Sequence, residues 1–180
     1  VGFQEAKGKY VALIGHDDMW KEDKIEKQVA FLEEHPSYGL SFTWTDLIDE
    51  NETKVNTLHR ELYRKFCSKN LSKEQWSRKL FFYMNHFCAP STCIRREVLE
   101  KTGYYRYSLI QLQDYDLWLR VLKECSLYIF EEKLTLYRRF NDDSNLSSFS
   151  WPTVYRDRHE TQWIQKDYIK NLSTEAFVSI

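Results

Sequence analysis

The sequence has 180 residues, a length that suits a single domain with one sizeable hydrophobic core. Its formal net charge of -1 argues against a general binder of nucleic acid or of anionic membranes, because both require an excess of basic residues. Charged residues make up 29% of the chain and hydrophobic residues 42%, which indicates a globular protein rather than a disordered one.

The four cysteines, Cys67, Cys88, Cys93 and Cys125, form no C-x-x-C pair and lack the spacing of a zinc site. In the absence of a signal peptide, this usage predicts reduced thiols in a cytoplasm. No run approaches the ~18 apolar residues that a membrane span requires. The chain lacks an initiator Met and opens within a predicted helix that ends near Lys9, so we expect a fragment of a longer protein.

The first informative stretch is Y-V-A-L-I-G-H-D-D-M-W, residues 10–20. The apolar run Tyr10–Ile14 is too short for a helix and predicts a strand buried on both faces. It stops at Gly15, and two adjacent carboxylates, Asp17 and Asp18, follow. Carboxylates at the C-terminal end of a buried strand are typical of a site for a ligand or a hard metal ion. An alternative with equal support is that both residues only turn the chain and cap the next helix.

The rest of the chain alternates helical and strand patterns, which predicts one α/β domain. The region Lys54–Asn70 has no clean period and is interpreted as a loop or irregular helix. A capping box at Ser72 and Gln75 predicts the start of a helix with Trp76, Leu80 and Tyr83 on one face. The other predicted helices are Lys21–His35, Arg96–Thr102, a helix that begins near Asp114, and a final helix near Thr153–Lys170. The predicted strands are a half-buried strand over Gly39–Ile48, an extended segment over Phe87–Ile94, and two strands, Leu127–Phe130 and Leu134–Arg138, joined by residues 131–133.

Asp114 lies at the predicted start of a helix, where the helix dipole is expected to lower its pKa and keep it ionised. As an isolated observation it is better explained as an N-terminal capping residue. Trp20 and Trp118 each follow a pair of carboxylates and are interpreted as packing residues rather than sugar platforms. The sequence contains no H-E-x-x-H motif, no G-x-S-x-G elbow and no glycine-rich phosphate loop.

Considered together, four segments resemble conserved segments of the family-2 glycosyltransferases, which have the GT-A fold. In chain order they are A-K-G-K-Y-V-A-L-I-G-H-D-D-M-W-K-E-D-K-I-E-K-Q (6–28), P-S-T-C-I-R-R-E-V-L-E-K-T-G-Y-Y (90–105), Q-D-Y-D-L-W-L-R-V-L (113–122) and L-Y-R-R-F-N-D-D-S-N-L-S (136–147). The order matches that of the family, and the four segments together cover roughly residues 5–148.

The resemblance implies an inverting transferase that uses a nucleotide-sugar donor. Asp17 matches the family's metal-binding Asp, which coordinates Mn²⁺ or Mg²⁺ on the donor diphosphate, and His16 and Asp18 flank it as donor-binding candidates. Asp114 matches the general base that deprotonates the acceptor hydroxyl. Further candidates on the acceptor side are Gln113, Trp118 and Ser91.

Three residues depart from the family pattern. Gly15 replaces the first Asp of the metal motif, Gln113 replaces the Glu before the base, and Phe140 replaces the closing His. These departures favour two alternatives: a degenerate, non-catalytic sugar-binding or acceptor-binding domain, and, less directly, a sugar nucleotidyltransferase.

The fold expected from the resemblance is a partial GT-A fold, a mixed sheet flanked by helices. Residues 1–150 would form the truncated transferase domain, and residues 151–180 a helical extension. The family's nucleotide-recognition strands would precede Val1, so the strand Tyr10–Ile14 should have an open edge that pairs in a homo-oligomer. The expected partners are a nucleotide-sugar donor and a saccharide or lipid-linked acceptor, but no nucleic acid, and the expected location is the cytoplasm, peripheral to the inner membrane face.

Overall fold

The computed structural model describes residues 2–140, 150–170 and 172. Within these residues, the seven α-helices are α1 (Gly2–Glu5), α2 (Lys24–Glu34), α3 (Arg60–Phe66), α4 (Lys73–Tyr83), α5 (Arg96–Thr102), α6 (Gln113–Glu124) and α7 (Trp151–Lys170). Five strands are β1 (Tyr10–Ala12), β2 (Met19–Trp20), β3 (Tyr38–Ile48), β4 (Cys93–Arg95) and β5 (Ser126–Arg138). A short 3₁₀ turn, Ala89–Ser91, precedes β4.

The five strands form one mixed sheet in the order β1-β4-β3-β5-β2. The central pair, β3 and β5, is parallel, and every other neighbouring pair is antiparallel. With helices against it, this sheet agrees with the predicted mixed α/β architecture.

Strand β3 is buried along almost its whole length, so the prediction of a half-buried strand was wrong. Its apolar side packs on α6, where the rings of Phe42 and Trp118 meet edge to face at 5.0 Å. The side that carries Ser41 and Thr43 is covered by α2, whose Gln28 amide donates to the Ser41 hydroxyl at 3.1 Å. The alternating polar residues of β3 thus face polar side chains of α2, and they do not face water.

Strand β5 is continuous, whereas two strands had been predicted for this region. Its pairing with β3 jumps from Phe130 to Lys133 while β3 advances from Thr43 to Trp44. Glu131 and Glu132 therefore form a bulge, in which extra residues loop out without ending the strand.

Strand β1 is shorter and more exposed than predicted. Only Val11 is buried, and Ile14, expected inside the strand, lies beyond its end and is 53% exposed. The strand is at one edge of the sheet and pairs with β4 alone. Its other edge has no partner strand among the described residues, and pairing with a second copy stays a prediction.

The core lies between the sheet and helices α4, α5, α6 and α7. The capping box of α4 is confirmed: the Gln75 N–H donates to the Ser72 hydroxyl, and the Gln75 side chain accepts from the Ser72 N–H. Trp76 and Leu80 are buried as predicted, but Tyr83 at the end of the helix is 67% exposed.

Helix α7 packs against α6, with Ile164 and Tyr168 on its buried side. The division of the chain at residue 150 stays a prediction. Most of the fourth resembling segment, residues 141–147, lies outside the described residues. Within the part of the chain that the structure describes, no helix combines the length and apolarity needed to cross a membrane.

Candidate active site

The two carboxylates that follow β1 converge over Gly15. A Cβ atom on Gly15 would lie 2.9 Å from Asp17 Oδ1 and closer still to Asp18 Oδ2. The Asp18 carboxylate thus occupies the space that a side chain at position 15 would need. Gly15 replaces the first Asp of the family's metal motif, but its missing side chain leaves space for the carboxylate of Asp18.

Arg138, the last residue of β5, holds this loop in place. Its main-chain N–H donates to Asp18 Oδ1 at 3.0 Å, and its Nε donates to the Asp17 carbonyl at 2.9 Å. Its Nη1 also donates to the Asp49 carbonyl at 2.6 Å, after the end of β3. The loop is therefore tied to both central strands of the sheet.

Burial raises the pKa of Asp18 to about 6, and the neighbouring charge of Asp17 acts in the same direction, although the N–H of Arg138 opposes it. Asp17 is more accessible, with 21% of its side chain exposed, and its Oδ1 lies 3.7 Å from Nδ1 of His16. The His16 side chain is almost fully exposed. All three donor-side candidates therefore lie in one short loop.

Asp114 lies in the first turn of α6, as predicted, but the expected direction of its pKa shift was wrong. Burial raises the pKa of Asp114 to about 6. Its Oδ1 accepts the Tyr115 N–H at 2.7 Å and its Oδ2 accepts the Asn85 amide at 2.7 Å, and these bonds offset the effect of burial only in part. Desolvation of the ionised carboxylate thus outweighs the favourable end of the helix.

Cys88 connects the two acidic groups. It is buried, and the charges of both Asp18 and Asp114 add to the effect of burial in raising the pKa of its thiol. Both carboxylates therefore lie near the same buried thiol.

A cleft of about 820 Å³ opens beside the end of β1. Its lining includes Leu13 and Ile14, just after β1, and Tyr105 and Gln113. Nε2 of Gln113 donates to the Leu109 carbonyl at 2.6 Å, which orients the side chain at the cleft. Gln113 remains an acceptor-side candidate.

Two other acceptor-side candidates are placed in the interior. Trp118 is fully buried against Phe42, and Ser91 is 1% exposed with its hydroxyl donating to the Cys88 carbonyl at 2.7 Å. Neither side chain can touch an acceptor, so both predictions are corrected to structural roles.

The structure also shows a clamp that sequence reasoning missed. Residues of β2 and α2 donate hydrogen bonds to three successive carbonyls of the segment 90–92: Trp20 Nε1 to Pro90 at 2.7 Å, Gln28 Nε2 to Ser91 at 3.0 Å, and Lys24 Nζ to Thr92 at 3.5 Å. The donors come from the first resembling segment and the acceptors from the second. The clamp therefore gives Trp20, Lys24 and Gln28 a structural role, whereas the second segment contributes only main-chain carbonyls.

Lys24 is the unusual member of the clamp because it is completely buried. Its Nζ lies 4.2 Å from the centre of the Trp20 ring and donates to Gln28 Oε1 at 2.8 Å. Burial lowers the pKa of Lys24 to about 8. Its i, i+4 spacing to Gln28 on a helix was visible in the sequence, but only a packed structure shows that this polar side faces inward.

Glu160 of α7 is a second missed residue. Its carboxylate is buried and accepts the N–H groups of Ile110, Gln111 and Leu112 at 2.9, 3.0 and 2.8 Å. These residues lead directly into α6, so Glu160 positions the chain just before Asp114.

The carboxylates fit a divalent cation held jointly with a ligand. In residues 2–140, 150–170 and 172, no three His, Cys, Asp or Glu side chains form a group able to hold a metal ion without help. Mg²⁺ in nucleotide sites is commonly bound through one or two carboxylates together with substrate phosphates. Asp17 and Asp18, whose oxygens converge over Gly15, meet that requirement.

The fold resembles the GT-A fold. The crystal structure of S. aureus TarS matches it with a TM-score of 0.63 and 14% sequence identity, over 98% of this chain and 27% of TarS. This likeness concerns the fold alone.

The chain belongs to glycosyltransferase-like family 2, whose model matches residues 1–167. The uncharacterized glycosyltransferase MJ1057 of Methanocaldococcus jannaschii is 32% identical over 169 residues, which are 92% of this chain and 54% of that protein. TuaG of Bacillus subtilis, provisionally named a teichuronic acid biosynthesis glycosyltransferase, is 28% identical over 93% of this chain and 65% of its own length. The chain thus spans about half to two thirds of these curated relatives.

Proposed function

We propose that this chain is the catalytic portion of a metal-assisted transferase, which moves a sugar from a nucleotide-sugar donor to a hydroxyl group of a saccharide or lipid-linked acceptor with inversion. The observation that carries the proposal is the convergence of the Asp17 and Asp18 carboxylates over Gly15, shortly after the end of β1. The name of TuaG, which refers to teichuronic acid biosynthesis, supports a saccharide as the acceptor.

On the donor side, Asp17 and Asp18 would hold Mn²⁺ or Mg²⁺ against the diphosphate. When bound, the cation would neutralise charge on the leaving nucleoside diphosphate. Arg138 fixes the loop that carries both carboxylates, so their oxygens are positioned before the donor arrives. His16, almost fully exposed in the same loop, would contact the donor.

On the acceptor side, Asp114 would accept the proton of the attacking hydroxyl. With a pKa of about 6 the carboxylate is mostly ionised at pH 7, yet basic enough to take a proton as the new bond forms. Each of its oxygens already accepts one hydrogen bond, from Tyr115 or from Asn85, which fixes its orientation and leaves further lone pairs for the acceptor.

The location proposed for the full-length protein is the cytoplasm, at the inner face of a membrane. The competing function is a non-catalytic sugar-binding domain. It is favoured by Gly15, Gln113 and Phe140, which replace three polar residues of the family pattern.

The deciding experiment measures Mn²⁺-dependent hydrolysis and transfer of UDP-sugars and GDP-sugars by the full-length protein. Asp17→Ala should abolish turnover, and Asp18→Ala should reduce it less, because Asp18 is partly engaged by Arg138. Glu50→Ala, an exposed carboxylate substitution outside the site, is the matched control. Sugar binding without turnover in the wild type would support the non-catalytic alternative, and equal, mild losses in both Asp variants would favour a turn-and-cap role.

A further inference from the structure

The side of α7 that faces solvent is strongly apolar for an exposed surface. Trp151, Tyr155, Trp163 and Ile169 are 67%, 60%, 44% and 41% exposed. We call the exposed side of Trp151–Lys170 the outer face of α7. On a helix of about 3.6 residues per turn these four positions fall within about 120° of one another, so they form a stripe along the helix opposite the buried residues Glu160, Ile164 and Tyr168.

The charges on the outer face are all of one sign. Arg158, Lys166 and Lys170 are exposed. The three acidic residues of the helix lie elsewhere: Glu160 is buried under three N–H groups, Asp167 bonds to Arg106 at 2.9 Å, and Asp157 is only partly exposed. Arg106 in turn lies over the Trp163 ring, 4.9 Å from its centre.

Two neighbouring segments extend this surface. Leu109 borders a cavity of about 450 Å³ together with Trp163, and its loop carries the exposed Tyr107 and Ile110. On the other side, Met84 borders a cavity with Arg158, and the end of α4 before it carries the exposed Phe82 and Tyr83. Of the ten large apolar side chains exposed among the described residues, eight belong to the outer face of α7 or to these two flanks. A concentration of this kind marks an interaction surface rather than ordinary surface composition.

We propose that the outer face of α7 and its two flanks dock on an anionic lipid surface. Trp and Tyr favour the interfacial layer of a bilayer, and exposed Arg and Lys are attracted to anionic headgroups. A stripe that combines both and presents no fully exposed carboxylate is complementary to that surface in shape and in charge. The net charge of -1 for the whole chain does not oppose this docking, because the acidic residues of α7 lie off its outer face.

The docked surface lies beside the acceptor side of the proposed active site. Ile110 belongs to the flank, and its N–H is one of those that Glu160 accepts. Three residues later the chain reaches Gln113 at the cleft, and then Asp114. A lipid-linked acceptor anchored in the bilayer would therefore present its hydroxyl near the base. This choice of acceptor rests on the proposed function, whereas the docking itself does not.

The test measures co-sedimentation of the full-length protein with vesicles of phosphatidylcholine alone and of phosphatidylcholine mixed equally with phosphatidylglycerol. We expect binding to the anionic vesicles that weakens as salt increases. The double variant Arg158→Glu, Lys166→Glu should bind at least ~30-fold more weakly, since each basic residue contributes roughly a factor of five or more at such a surface. Tyr155→Ser should weaken binding without changing its salt dependence.

The matched control is Lys7→Glu with Lys69→Glu, the same change of charge at two exposed lysines outside the face. Equal losses in both double variants, or no vesicle binding by the wild type, would overturn the docking proposal. Preference for a soluble anionic polysaccharide over vesicles, or burial of the face under the rest of the polypeptide, would do the same.

Donor hydrolysis without vesicles separates this inference from the proposed function. The Arg158→Glu, Lys166→Glu variant should retain the donor hydrolysis rate of the wild type, because neither residue belongs to the catalytic groups. Vesicle binding without donor turnover would leave the docking intact and reject the enzyme, and donor turnover without vesicle binding would reject the docking alone.

Discussion

The main-chain N–H of Arg138 donates to Oδ1 of Asp18 at 3.0 Å, so the end of β5 fixes a carboxylate 120 residues earlier in the chain. The other oxygen of Asp18 lies over Gly15. Asp18 is thus held between a strand end and a residue without a side chain. The geometry of the proposed metal site depends on both.

Gly15→Ala should displace the Asp18 carboxylate, because the new Cβ would occupy the position of Asp18 Oδ2. We expect the Mn²⁺ concentration for half-maximal turnover to rise by about 10- to 100-fold, the range typical when support of a metal ligand is lost. Gly2→Ala, where a Cβ meets nothing within 4 Å, is the control. An unchanged metal response in Gly15→Ala would mean that Asp18 has no part in the site.

Asp114→Asn should lower turnover by ~10²-fold or more, since it removes the proposed base while keeping the shape of the side chain. The same change removes one of the two oxygens that accept N–H bonds, but it also removes a buried charge, so the net effect on stability should be small. The pKa of Asp114 is raised from 3.8 to about 6 in the folded state, so its contribution to stability is fully present below pH 3.8 and is lost as pH rises through 6. At pH 7 the buried, ionised carboxylate of Asp114 lowers the free energy of unfolding, and Asn removes this charge. Thermal unfolding at pH 7 and donor turnover, measured on the same samples, check both expectations.

Asn85→Ala tests the same group through the pH profile. The Asn85 amide favours the ionised form of Asp114, so its loss should raise the pKa of Asp114 further. The acidic limb of the turnover profile should therefore move to higher pH than in the wild type. A limb that stays in place would assign it to another group, for which Asp18 is the leading candidate with its own pKa of about 6.

Lys24→Met should remove a pH dependence of stability in the alkaline range. Burial lowers the pKa of Lys24 from 10.5 to about 8 in the folded state, so its contribution is present above pH 10.5 and is lost as pH falls through 8. The free energy of unfolding of the wild type should accordingly gain up to about 3 kcal/mol between these limits from this one group. Denaturant unfolding of the wild type and of Lys24→Met, measured between about pH 7.5 and 10.5, gives the difference in unfolding free energy at each pH. All other titrating groups are present in both proteins, so the pH dependence of this difference belongs to Lys24.

Glu160→Gln should loosen the chain ahead of Asp114. The amide offers one acceptor oxygen where the carboxylate serves three N–H groups, and we expect a loss of at least about 2 kcal/mol in unfolding free energy. Amide hydrogen exchange at residues 110–112 should accelerate, and turnover should fall with little change in the KM for donor. Gln162→Glu, at an exposed position of the same helix, controls for the general effect of altering charge on α7. Unchanged exchange at residues 110–112 would show that the three hydrogen bonds are not maintained in solution.

Local signals were sufficient for several parts of the fold. The Ser72–Gln75 capping box places the start of α4, and Gly103, with its φ of +80°, ends α5 at the predicted residue. The position of Asp17 and Asp18 after a strand, and of Asp114 in the first turn of a helix, followed from the same kind of pattern. These features depend on neighbours within a few residues, which a single sequence displays directly.

The tertiary structure decided which of these residues are accessible and how they are charged. Trp118 and Ser91 lost their proposed roles because α6 and the 3₁₀ turn are packed inside, and burial reversed the expected pKa shift of Asp114. The polar face of β3 is dry because Gln28 and Lys24 cover it. Such outcomes depend on contacts between residues distant in sequence, and alternation alone cannot distinguish water from a polar helix.

Charge shows the same division between sequence and structure. Composition determined the sum, -1, and that sum predicts no general attraction to anions. Folding decided its distribution, because helix geometry sets Arg158, Lys166 and Lys170 on one exposed side and turns Glu160 inward beneath three N–H groups. Electrostatic attraction depends on the charges within a Debye length of a surface, so the arrangement on α7, and not the total, governs what that face can bind.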